Sequence, residues 1–307
     1  MRKSMLLVMA AVSVVSAIGF AVPLNKAQVP SGAKWIVHVD FDAFRVSQMG
    51  QLVKGEIGKV HQAKLDAMKE LLGSDLSTDI SGLTVYGPDA NEANVVAMIN
   101  GTFNRQKLLA LLALNDTYSE SDYNNQKLYF WRDDKRGKDQ VGAFATDNLI
   151  VISQTEGAVK GILDVLAGRS AALAADKTTS LYGLTEGTQG AFVVAAAEGL
   201  SDLAKDNEHA AVLQNSKMMI MIADEAQTQM RLFVQLEANS IEAAQQVEQM
   251  ARGMLAFAML QQEQHPELKP LLEACNLTRT DAKIAFEFRY PSADLFAMIK
   301  QFAPKEL

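Results

Sequence analysis

The chain has 307 residues, a formal charge of −7, 49% hydrophobic and 21% charged side chains, and a single cysteine, Cys275. The negative balance disfavours phosphate backbones and argues against nucleic acid as a partner. One cysteine leaves no intramolecular disulfide, so a small disulfide-rich scaffold is excluded and stability must come from packing. The length suffices for one large domain or two ordinary ones, each burying its own core.

Met1, Arg2 and Lys3 precede an apolar run over residues 5–15 and then small residues, the order of a secretory signal. Val15 with Ala17, and Gly19 with Ala21, fit the small-residue cleavage rule and put the mature start near Ile18 or Val22. We therefore expect residues 1–21 to be a signal peptide and the protein to be exported, to a bacterial periplasm or cell surface. The alternative is an uncleaved membrane anchor, because the low-polarity run reaches Val22. No cysteine lies near the cleavage region, so a lipoprotein anchor is not indicated.

Pro30, Ser31 and Gly32 mark a linker into a strand over 35–41, after which Asp42 is expected to cap a long amphipathic helix ending at Gly73, with a kink near Gly55 or Gly58. Strands at 83–86 and 95–103 form a hairpin around a polar turn. Asn104 caps a short helix, and strands follow at 127–132, 141–146 and 149–153. A helix opened by Thr155 or Ser153 ends near Gly168, and residues 169–189, rich in Ala, Ser, Thr and Gly, hold the most plausible boundary. Beyond it come a strand at 191–197, a helix from Leu200, strands at 218–223 and 230–238, and a helix from Ile241 capped by Asn239. A short helix opened by Pro266, a strand at 283–290 and a helix at 293–302 close the chain.

Without the extra hairpin of the first copy, both stretches read βαββαβ plus a helix. The expected fold is α+β, two tandem ferredoxin-like units with antiparallel sheets and helices on one face. The expected boundaries are a first unit at 22–175 and a second at 176–307.

His38, Asp40 and Asp42 alternate and share a strand face, a geometry open to zinc or manganese. The corresponding positions of the second copy are Val194, Ala196 and Glu198, so only the final acid persists, as a helix cap would. These three are the metal candidates, and no resident cofactor is expected. Ser31 to Lys34 spell SxxK, but ahead of a strand rather than opening a helix, so the match is chance. Cys275 reads as a small buried hydrophobe. Met218, Met219, Met221, Met230, Met250, Met254, Met259 and Met298 crowd the second copy and read as adaptable core filler, or as a re-packable apolar groove for a lipid or peptide.

The stretch AKWIVHVDFDAF at residues 33–44, behind the signal, resembles exported bacterial proteins of unknown function, of planctomycete and verrucomicrobial type, whose mature part opens with a KWVVHVD strand. The resemblance implies a bacterial exported protein and transfers no functional residue. The leading expectation is a non-enzymatic binding or envelope-associated interaction module, with a protein, a peptide or a second copy of the chain as partner. The alternatives are a carrier of an apolar ligand and a hydrolase using His38 or a carboxylate pair.

Overall fold

The computed structural model describes residues 22–205, 210–261 and 265–302. The expected signal segment, residues 1–21, lies outside them. No helix among the described residues is long and apolar enough to cross a membrane.

The first half holds β1 (Trp35–Asp40), α1 (Phe41–Val46), α2 (Gln48–Leu72), α3 (Leu76–Asp79), β2 (Ile80–Gly87), β3 (Val96–Gly101), α4 (Arg105–Leu112), β4 (Ser119–Tyr123), β5 (Gln126–Asp133), β6 (Lys138–Thr146), β7 (Leu149–Ser153) and α5 (Glu156–Leu166). After α6 (Ser180–Leu184) come β8 (Val193–Glu198), α7 (Leu200–Leu203), α8 (Ala211–Gln214), β9 (Ser216–Ala226), β10 (Gln229–Ala238), α9 (Ile241–Gln261), α10 (Lys269–Glu273), β11 (Cys275–Thr280), β12 (Lys283–Pro291) and α11 (Ser292–Phe302).

All twelve strands join one antiparallel sheet in the order β11-β12-β10-β9-β8-β1-β2-β3-β7-β6-β5-β4. This corrects the expectation of two ferredoxin-like sheets. A split βαβ unit sets strands side by side in parallel across its helical crossovers, whereas β1 here pairs antiparallel with β2 on one side and with β8 on the other. The seam between the halves runs in register from Trp35↔Ala197 to Val39↔Val193. Outward from that seam the succession is the same on both sides: β1, β2, β3, β7, β6 and β8, β9, β10, β12, β11. The β4–β5 hairpin extends the first side alone.

Helices cover both faces, not one as expected. Successive strand residues point to opposite faces, and the two buried clusters separate accordingly. Ile36, Ala196 and Phe233 belong with the cluster of Met98, Val151, Val159 and Ile162, and Trp35, Ala197 and Leu236 with that of Leu200, Ala244 and Ile284. The first cluster lies under α5 and a segment at 29–33, and the second under α7 and α9. The expected boundary at 175/176 falls between a 3-10 turn at Leu173–Ala175 and α6, and Leu173 and Leu181 on either side of it are fully buried.

The long first helix is interrupted ahead of its glycines. Ser47 is extended, and its hydroxyl accepts from the Gly50 amide at 2.9 Å to start α2 afresh. Glu225 also accepts from the Gln48 and Met49 amides, fixing the start of α2 to the end of β9. Ser240, not Asn239, caps α9 through the Ala243 amide at 3.1 Å.

Candidate ligand-binding cleft

His38 and Asp40 are buried, each at 1% exposure, but the structure does not assemble them with Asp42 into a ligand set. Among the described residues no cluster of three or more His, Cys, Asp or Glu side chains can hold a metal. His38 Nε2 lies 2.8 Å from the Val22 carbonyl and Nδ1 lies 2.9 Å from Thr84 Oγ1. A carbonyl only accepts, so Nε2 carries the proton, and in the neutral ring Nδ1 accepts from the Thr84 hydroxyl. Burial pushes the His38 pKa below its ordinary value, against the opposing pull of the Val22 carbonyl and the Asp40 charge. The imidazole is thus neutral and fully engaged, a bolt between the N-terminal segment and the sheet.

The carboxylates are engaged too. Asp40, rather than Asp42, caps α1, accepting from the Ala43 amide at 2.8 Å. Asp42 accepts from Arg45, and its pKa is raised by desolvation despite that neighbour. Glu198 does not cap the helix that follows it, since the cap position of α7 is Gly199. It accepts instead from the Leu181 amide at 3.0 Å and pairs with Lys34 at 2.8 Å. The shared acid therefore has a different structural task in each half.

A cleft of about 600 Å³ opens elsewhere, between the first half of the sheet and α5. Its floor is Tyr86 of β2 beside Val96 of β3, which are register partners. Ala158, Ile162 and Val165 of α5 form one wall, with Gly157 and Gly161 one turn apart on the same helix. A Cβ built on either glycine meets no heavy atom within 4 Å. The opposite wall is the strap Pro30 to Ala33, and Pro88, Asn94, Ser170 and Ala171 complete the rim.

The strap is fixed by backbone bonds from Ser31 N to Ala171 O at 3.0 Å and from Leu173 N to Val29 O at 2.7 Å, with Val29 and Leu173 fully buried beneath it. Thr155 caps α5 by accepting from the Ala158 amide, and Asn94 donates to Asp89 at 2.8 Å. Among the described residues no lining side chain is charged. Ser31 of the SxxK sequence lies on this rim, while Lys34 is turned away to Glu198.

Sequence reasoning did not find this cleft. The available signal was the pair of glycines in an amphipathic helix, where each costs about 1 kcal/mol relative to alanine. The methionines divide: Met219 packs on the second core, but Met250, Met254 and Met259 of α9 are exposed at 47%, 63% and 43%, so core filling does not describe them. Cys275 is half-buried at the start of β11, its thiol donating to the Leu271 carbonyl and its pKa raised by burial.

No protein-family profile matches the sequence, and a search of curated proteins found no match. The chain is similar to three solved structures of TP0453. Crystal form I has a TM-score of 0.49 at 10% identity, with 92% of this chain and 99% of that one covered. Crystal forms III and IV each have a TM-score of 0.48 at 11% identity, covering 91% of this chain and 98% or 97% of theirs.

Proposed function

We propose that the protein is an exported, non-enzymatic binding module whose ligand is a small apolar molecule held in the cleft between α5, β2 and the strap Pro30 to Ala33. The observation that carries this reading is the cleft itself: about 600 Å³, lined mostly by aliphatic side chains and glycine with a few neutral polar groups, and with no charged residue among the described residues of its lining. That volume is in the range of roughly 300–1,000 Å³ typical of small-molecule sites, which are mostly apolar with a few placed polar groups. Export rests on the N-terminal sequence, with its two basic residues, apolar run and small-residue cleavage pattern. The mirrored strand succession about the β8–β1 seam supports descent of the two halves from one duplicated unit.

Binding is tested by titrating the mature protein with a solvatochromic hydrophobic dye and repeating the titration with Gly161→Leu. The leucine projects into open space and improves helix propensity, so the variant folds while its cleft is filled. We expect at least about a tenfold loss of dye affinity, the equivalent of about 1.4 kcal/mol, with unchanged circular dichroism. Equal affinity in the variant would remove the cleft as the site.

A further inference from the structure

Tyr86 is 4% exposed, and its hydroxyl has no hydrogen-bond partner among the described residues. Buried phenols ordinarily find one, because an unpaired polar group out of water is costly. The hydroxyl is nevertheless not sealed in protein, since the one fully enclosed, unpartnered side-chain oxygen among the described residues belongs to Ser121. Tyr86 is one of the residues that line the cleft, and we assign its hydroxyl to that space. Cations near the rim in sequence are committed elsewhere: Lys34 to Glu198 at 2.8 Å, Lys160 to Glu156 at 2.7 Å and Arg169 to Asp164 at 2.7 Å.

The geometry points to a ligand class: an uncharged amphiphile, with a hydrocarbon body against Val96, Ile162 and Val165 and a single neutral oxygen, an alcohol or carbonyl, hydrogen-bonded to the Tyr86 hydroxyl. This rests on the cleft being the binding site and specifies what it selects. A carboxylate or ammonium head would enter without a counter-charge and lose its hydration, which the lining does not replace. A pure hydrocarbon would fill the apolar volume but leave the phenol unpaired. Burial holds the phenol pKa well above its ordinary value, so Tyr86 remains protonated and able to donate at physiological pH.

The test is displacement of the hydrophobic dye at neutral pH by dodecanol, dodecanoate and dodecane, in the wild-type protein and in Tyr86→Phe. In the wild type, dodecanol should displace the dye at a concentration about tenfold below that of dodecanoate. Tyr86→Phe should weaken dodecanol by about three- to tenfold, the range of one neutral hydrogen bond, and leave dodecane unchanged, which also reports that the variant's cleft is intact. Dodecanoate matching dodecanol, or dodecanol indifferent to Tyr86→Phe, overturns the selectivity while leaving the cleft as an apolar site. Failure of all three ligands and of the dye on wild-type protein overturns the cleft reading, and the selectivity with it.

Discussion

The closing helices α5 and α11 leave equivalent places in the strand succession, after β7 and after β12, and end in different surroundings. α5 turns under the sheet and buries Val159, Ile162, Leu163 and Val165 in the first core. α11 is drawn to α2: the Ser292 hydroxyl donates to Glu225, which also holds the start of α2, and Lys300 pairs with Glu56 at 2.8 Å. The consequence shows on the sheet. Beneath α5 the face is apolar, whereas the same face of the second half carries ion pairs, Asp224 with Arg231 and Glu237 with Lys283 across strands, and Glu287 with Arg289 along β12. The connections differ in the same sense. β9 and β10 are joined at Gln227 and Thr228, both at positive φ as a tight two-residue hairpin requires. β2 and β3 are joined by a longer loop, whose Pro88 and Asn94 reach the cleft rim. A cleft therefore exists where a helix covers the sheet incompletely, between glycine-bearing α5 and a long loop, and not where the closing helix has moved off that face.

Paired truncations test the difference between α5 and α11 most directly. Ile162→Ala in α5 removes a fully buried side chain and should cost about 2–5 kcal/mol by urea denaturation. Ile299→Ala in α11, where the side chain is 51% exposed, should stay within about 0.5 kcal/mol. Similar losses at the two positions would mean that α11 contributes to a core as α5 does, and that the asymmetry between the halves is superficial.

Elements with strong periodicity were legible, and those without it were not. β4 and β11 escaped because they are the two edge strands, with a partner on one side only. Their sequences, SESDY and CNLTRT, carry little apolar alternation, and Leu277 is the one buried residue of β11. Ferredoxin-like pairing was inferred from element order, but order alone does not choose between a parallel crossover and an antiparallel return; the β1–β8 seam is a contact between residues more than 150 apart in sequence. The polar triplet was conspicuous for its residue types, yet each member is accounted for by a hydrogen bond or ion pair within the fold. The cleft was hard to read because its walls come from four separated segments, and its one local signal was the glycine pair of α5.

His38 gives an intermediate effect confined to the seam. His38→Ala leaves the Thr84 hydroxyl and the Val22 carbonyl without their ring partner and should cost about 1–3 kcal/mol. The pH dependence has a definite sign. Since burial lowers the folded-state pKa, the unfolded chain binds the proton first as pH falls through its ordinary value of 6.5. Stability from the neutral ring is thus fully present above that value, declines as pH drops below it, and levels off beneath the folded pKa. The stability difference between wild type and His38→Ala should accordingly shrink from pH 8 to pH 5 in parallel urea titrations. A constant difference would mean that burial does not lower the His38 pKa in the fold.

The smallest effect belongs to the uncovered face of the second half. Arg231 donates to both carboxylate oxygens of Asp224, with side chains 31% and 18% exposed, so water still screens the pair. A double-mutant cycle with Asp224→Ala and Arg231→Ala should return a coupling below about 1 kcal/mol, weakening further in high salt. If this face were covered as its counterpart beneath α5 is, one partner left alone would be a buried charge, and the single mutants would each lose about 3–5 kcal/mol. Small, salt-sensitive coupling here beside a large loss at Ile162 would place the difference between the halves in which face each closing helix covers.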